Sequence, residues 1–144
     1  MNEAFEPEIV VLYCGRGLED KAYLSEETKK GDGFKVRFIM MPCTGKIETG
    51  YLVKLVEQGA DGVQVVGCPE KMCRFLVGSD RAEKRVRFAG MLLDEAGMGS
   101  DRVGMVRKDD VSVDRLMALA QERAETVRPL GQNPMKSTLV KSTV

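Results

Sequence analysis

The chain has 144 residues, 43% apolar and 31% charged, which is enough for one ordinary hydrophobic core beneath a solvated surface. Twenty-two basic residues balance 22 acidic ones, so no bulk charge draws it to nucleic acid or to an anionic membrane. It contains no His, which excludes imidazole-based sites from zinc hydrolases to Ser-His triads, and no apolar run approaches the ~18 residues of a membrane span.

The Met1-Asn2-Glu3-Ala4-Phe5-Glu6 start lacks the basic and apolar regions of a signal peptide, so a cytoplasmic location is expected. In that reducing compartment, four cysteines point to metal binding or redox chemistry before structural disulfides. Nine methionines and no Trp describe either a pliable core or a docking surface.

Taken in order, residues 1–8 are polar. Ile9 to Tyr13 is a continuous β-rich apolar run ending in the turn Cys14-Gly15-Arg16-Gly17, and reads as a strand buried on both faces. Leu18 to Lys30 is charged with a helical bias, and Gly31-Asp32-Gly33 stops it. Phe34 to Met41 reads as the second strand, ended by Pro42, which has no N–H for a ladder. Cys43-Thr44-Gly45 follows. From Ile47 to Gln58 the residues Ile47, Tyr51, Leu52, Leu55 and Val56 share one helical face, with Gly59 placed to cap the C-terminus.

Asp61-Gly62 then turns the chain into a third strand, Val63 to Val66, and Asp61 is assigned a structural role. The strand runs into Gly67 and Cys68, with Cys73 after four intervening residues. Ser79-Asp80 with Glu83 resembles a capping box for a helix whose apolar stripe is Ala82, Val86, Ala89, Leu93 and Ala96, ended by Gly97. Arg102 to Val106 reads as a fourth strand. Ser112 caps the last helix, in which Leu116, Leu119, Ala120, Ala124 and Val127 face inward before Pro129. The segment 131–144 is rich in Ser, Thr and Lys and is expected to be a disordered or partner-docking tail after a single domain over residues 8–130.

Strands alternating with helices predict an α/β domain: about four parallel strands, helices on both faces, in the flavodoxin or Rossmann manner. Ligands of such sheets gather at the carboxyl ends of the strands, where the strand order switches direction. Cys14, Cys43 and Cys68 each close an apolar run, so all three fall at that edge, and Cys73 can reach it from the loop of Cys68.

Four thiolates without another soft ligand suit zinc or an iron–sulfur cluster. Their spacing is no fingerprint, since the paired C-x₂-C knuckles of zinc ribbons are absent. The competing reading is that free cysteines fill strand ends as small apolar residues. Arg16, Lys46, Lys71 and Arg74 each lie within three positions of a cysteine, which favours a negatively charged cluster, although single loop cations are ordinary. Gly15 and Gly17 form a G-x-G after a strand, but Asp20 stands at the third glycine position, and no Walker motif occurs.

Pro42-Cys43-Thr44-Gly45-Lys46, Gly59-Ala60-Asp61-Gly62-Val63 through Gly67-Cys68, and Cys73-Arg74-Phe75 with Gly78 resemble the delta subunit family of methyl-viologen-reducing hydrogenase. The resemblance covers roughly residues 8–107, including Arg85-Val86 and the Leu92-Leu93 to Gly97 helix end. It implies a small [2Fe–2S] protein without bond chemistry of its own. Such proteins pass electrons between a hydrogenase or dehydrogenase-type subunit and a flavin-containing heterodisulfide reductase A-like subunit. Cys14, Cys43, Cys68 and Cys73 become the candidate ligands by the same resemblance. Gly17 stands where the family usually has a second cysteine, and Arg74 where it usually has His, so the four thiols match one cluster with none to spare. Two other functions compete: a non-redox adaptor with a structural zinc or no metal, and a thiol-based redox switch.

Overall fold

The computed structural model describes residues 5–14, 28–41, 47–67, 78–107 and 112–135. Five strands form one sheet: β1 (Glu8–Cys14), β2 (Lys29–Lys30), β3 (Lys35–Met41), β4 (Gly62–Gly67) and β5 (Val103–Arg107). Their spatial order is β2-β3-β1-β4-β5. All pairings are parallel except β2 with β3. The helices are α1 (Thr49–Glu57), α2 (Gly78–Glu95) and α3 (Val113–Val127), with 3₁₀ turns at Ser100–Arg102 and Arg128–Leu130.

The four parallel strands are those expected, each shifted by a residue or so. β4 is buried at every position, as its unbroken apolar run requires for a strand covered on both faces. One side of the sheet packs Leu52, Leu55 and Val56 of α1 and Val86, Ala89 and Leu93 of α2 against Val10, Leu12, Val63 and Val65. The other packs Leu116, Leu119, Ala120, Ala124 and Val127 of α3 against Ile9, Val11, Tyr13 and Val66. Each Val or Leu so buried contributes about 1.5–3 kcal/mol. Ala96, expected in the stripe of α2, is exposed.

Two glycines end their helices as expected, through the same pair of bonds. Gly59, at φ 115°, donates to Val56 O (3.0 Å), while Ala60 N donates to Leu55 O (3.1 Å). Gly97, at φ 80°, donates to Asp94 O (3.0 Å), and Met98 N to Leu93 O (2.9 Å). Both are Schellman closures, which need a residue free to enter the left-handed region. Ser112 caps α3 by accepting from Arg115 N at 3.1 Å. Ser79 and Asp80 lie inside α2, which begins at Gly78, so they do not precede the helix as a capping box would.

The expected helix from Leu18 to Lys30 is corrected at its end and otherwise lies outside the described residues. Lys29–Lys30 is a strand that pairs antiparallel with Lys35 and Val36 through the Gly31–Phe34 turn. Gly31 N donates to Phe34 O (2.8 Å), closing a hairpin. The Gly-Asp-Gly stop is therefore the turn of an edge hairpin, and the sheet has five strands where four were expected.

Of the expected tail, residues 131–135 fold back onto the amino-terminal edge of the sheet. Asn133 is 1% exposed; its side-chain nitrogen donates to Val56 O (2.6 Å) and Ala60 O (2.7 Å), and its backbone N–H to Asp61 Oδ1 (2.8 Å). Asp61 Oδ2 accepts from Glu8 N at 2.7 Å. One carboxylate thus joins the start of β1, the start of β4 and the end of the chain's last described segment. Its structural role is borne out.

Arg102, expected at the start of a strand, is instead a buried clamp of the same edge. Its guanidinium donates to Met98 O (2.8 Å), Asp61 O (3.0 Å), Gly131 O (3.0 Å) and Leu130 O (3.5 Å). Burial lowers its pKa from the ordinary value, and the nearby Asp61 carboxylate opposes that shift.

A second, half-buried guanidinium braces β4 against the turn that leads into β5. Arg123 of α3 donates to Gln64 Oε1 (3.0 Å) and Asp101 O (2.9 Å), and lies flat on Gly104. A Cβ at Gly104 would collide with its guanidinium, and moving that group strands the buried Gln64 oxygen. Gly104→Ala is therefore expected to destabilise the fold by about 1–3 kcal/mol. Chemical denaturation checks it; an unchanged midpoint would mean that Arg123 finds another seat at no cost.

Candidate metal centre

The parallel strands all finish on one edge, at Cys14, Met41, Gly67 and Arg107. Cys14 pairs with Met41 of β3 on one side, and its neighbour Tyr13 with Val66 of β4 on the other. Gly67 pairs in turn with Arg107 of β5. From β1 the chain goes to β3 on one side; after α1 it returns past β1 to β4 on the other. The β1/β4 boundary is therefore the topological switch point, where α/β sheets open a crevice for ligands. Cys14 ends the central strand at that boundary.

Cys43, Cys68 and Cys73 lie outside the described residues, as do the cations Arg16, Lys46, Lys71 and Arg74. In sequence, Cys43 comes two residues after Met41, and Cys68 directly after Gly67. Among the described residues no group of His, Cys, Asp and Glu gathers that could hold a metal ion. In sequence, therefore, the four cysteines fall at the end of β1 and in the segments that follow β3 and β4.

Two arginines absent from the sequence-based site sit at this edge. Arg107, the last residue of β5, pairs with Glu83 of α2 at 3.4 Å, and Glu83 also meets Arg87 at 3.5 Å. Arg85 of α2 donates to Ile47 O at 2.8 Å, and Thr49 Oγ1 donates to Arg85 O at 3.4 Å. Arg85 therefore ties down the chain where it emerges from the segment 42–46 that carries Cys43. In sequence Arg85 stands out only as part of the family resemblance and Arg107 not at all; the role of each becomes visible through contacts across the fold.

The amino-terminal edge holds an open cleft of about 430 Å³ between β1, β3 and the end of α1, lined by Lys35, Arg37, Gln58 and Gln132 among others. It is at the opposite end of the strands from Cys14.

The model of the family described as methyl-viologen-reducing hydrogenase, delta subunit, matches residues 9–131, which takes in every strand and helix above, but for the first residue of β1, and all four cysteines. The chain belongs to that family. It is 35% identical over 132 residues to the iron-sulfur subunit of the vhu F420-non-reducing hydrogenase of Methanocaldococcus jannaschii, covering 92% of this chain and 98% of that protein. Its likeness to the iron-sulfur subunit of the F420-non-reducing hydrogenase of Archaeoglobus profundus is 30% over 134 residues, covering 91% and 96%. A stretch of 68 residues, 47% of this chain, is 29% identical to 9% of the A-type subunit of the ferredoxin:CoB-CoM heterodisulfide reductase of Methanosarcina mazei. No helix among the described residues is long and apolar enough to cross a membrane.

Proposed function

We propose that this chain is an electron-transfer subunit. In this reading it holds one [2Fe–2S] cluster on Cys14, Cys43, Cys68 and Cys73 and relays electrons between a hydrogenase or dehydrogenase-type module and a flavin-containing heterodisulfide reductase A-like subunit. The observation that carries the reading is the position of Cys14, at the end of the central strand on the switch-point edge, between the strands that lead to the other three thiols. Relatives that match almost end to end are named iron-sulfur subunits of hydrogenases. The A-type subunit of a heterodisulfide reductase contains a segment like part of this chain, which supports a partner of that kind.

The residues fit the cluster on their chemistry. Four thiolates are the complete ligand set of a two-iron centre, and a chain without His can build no imidazole-ligated variant. Cys14 pairs with Met41, which precedes Cys43 by two residues in sequence, and Gly67 directly precedes Cys68. When bound, the cluster supplies reversible one-electron oxidation and reduction.

The rest is done by the protein. The sheet fixes the backbone of Cys14 between two neighbours, Arg85 holds the exit of the Cys43 segment, and Arg107 places positive charge at the same edge. Cations there offset the net negative charge of a thiolate-ligated centre and raise its potential.

The test is a two-stage electron transfer with purified components. Hydrogen and a hydrogenase module should bleach the visible absorbance of the chain, and oxidised heterodisulfide reductase A-like subunit should restore it. A protein that contains zinc, which four thiolates also suit, or that supports the complex without any metal, would instead establish an adaptor.

A further inference from the structure

The amino-terminal corner of the sheet carries positive charge that electron transfer leaves unused. In register, Lys30 pairs with Lys35, Lys35 with Glu8, and Arg37 with Val10. Paired residues share a face of the sheet. Val10 belongs to the core on the α1 side, and Ile39, two positions beyond Arg37, packs against the same core. Lys30, Lys35 and Arg37 therefore stand together on that face. Among the described residues, none of the three has a side-chain hydrogen bond or ion pair. Lysines on an edge strand commonly block further strand pairing, which accounts for Lys29 and Lys30. Lys35 and Arg37 lie on β3, already paired on both sides, so edge protection does not account for them.

These two cations line the cleft of about 430 Å³ between the strands and the last turn of α1. Val10 and Leu55 give it an apolar floor, and Thr28, Gln58 and Gln132 give it polar walls. Gln132 stands between two tethered residues: the Gly131 carbonyl accepts from buried Arg102 at 3.0 Å, and the Asn133 side chain donates to Val56 O and Ala60 O. The buried polar network of this edge thus fixes one wall. Glu8 is the one acid among the lining residues; Glu6, Asp32 and Glu57 are not among them. Setting Glu8 against Lys35, its partner in register, leaves Lys30 and Arg37 in excess.

We propose that this cleft binds a small organic dianion, whose phosphoryl or carboxylate groups meet Lys35 and Arg37 and whose body lies on Val10 and Leu55. Residues two apart on one strand face are about 7 Å apart, a span that two anionic groups of one small molecule cover. The planar fork of a guanidinium matches carboxylate and phosphate alike. The volume lies within the ~300–1,000 Å³ of small-molecule sites, which favours such a ligand over a protein surface. From Glu8 to Cys14, β1 carries the chain about 20 Å to the opposite edge. The ligand therefore does not reach Cys14, and the proposal does not rest on the cluster.

The test titrates the purified full chain at low salt with inorganic pyrophosphate, with phthalate and with a hexaglutamate peptide, followed by calorimetry and backbone amide NMR. One saturable site for pyrophosphate or phthalate is expected, with shifts centred on Lys35, Arg37 and Gln58. The tighter of the two identifies the ligand as phosphoryl or carboxylate. Arg37→Gln and Lys35→Gln should each weaken that binding about tenfold, the effect of losing one hydrogen bond to a charged group. Lys29→Gln, on the opposite face of the same hairpin, should leave it unchanged. Equal weakening by Lys29→Gln would reduce the effect to general charge and overturn the proposal. So would the absence of a saturable site for either small dianion, or binding of hexaglutamate alone, which would assign the face to an acidic protein. Chain with and without iron should bind alike.

Discussion

Cys14→Ser is expected to abolish most of the bound iron and the colour of the protein, and to lower electron transfer by at least about tenfold relative to wild type. Cys14 closes the central strand, with β3 on one side and β4 on the other, so it stands between the segments that supply the other three thiols. The chain has four cysteines, and Gly17 stands where the family usually offers another. A serine leaves three thiolates and a hydroxyl, which is a harder and far less acidic donor than a thiol and suits iron–sulfur chemistry poorly. Anaerobic purification with iron analysis and circular dichroism separates the outcomes. An unchanged iron content in a folded variant would remove Cys14 from the ligand set.

Arg102→Ala is expected to cost about 3–5 kcal/mol of folding stability, the range for breaking a buried charged network by removing one partner. The guanidinium is 1% exposed and satisfies the carbonyls of Met98, Asp61, Gly131 and Leu130 at once. Alanine leaves those oxygens in a cavity and deprives the Asp61 carboxylate of its buried countercharge. Asp61 itself binds Glu8 N and Asn133 N, so the loss reaches the start of β1 and the residues after α3. For a domain of this size the melting temperature should fall by roughly 6–20 °C. Arg102→Lys should recover only part of it, because one ammonium cannot reach carbonyls spread around a planar fork. A loss below about 1 kcal/mol would show that water or a neighbouring side chain replaces the clamp.

Both predictions concern the two ends of the same strands, and the two ends differed in how far the sequence revealed them. At the carboxyl edge, apolar runs closing in Cys14, before Pro42 and at Gly67 were readable because a doubly covered parallel strand must be continuously apolar. Gly59, Gly97 and Ser112 announced helix boundaries through local backbone chemistry, and each does what its residue type dictates. β2 was missed because Lys29 and Lys30 carry no alternation; they pair only as the edge partner of Val36 and Lys35.

The amino-terminal edge was legible only at Asp61. Arg102 and Asn133 look like surface polar residues in sequence, and their burial follows from partners 28 to 77 positions away. The same limit applied to Arg85 and Arg107, whose roles come from contacts between α2 and distant segments. The candidate site was legible as four thiols and as a family pattern. The structure adds the placement of Cys14 at the switch point, and the family match over residues 9–131 encloses the remaining three.

The central claim is that these four thiols hold an electron-carrying cluster, and iron and acid-labile sulfide analysis with EPR of the anaerobically purified chain tests it most directly. About two irons and two sulfides per chain, with a signal that appears on one-electron reduction, is the predicted result. A colourless protein without sulfide after reconstitution, or one containing zinc, would contradict it.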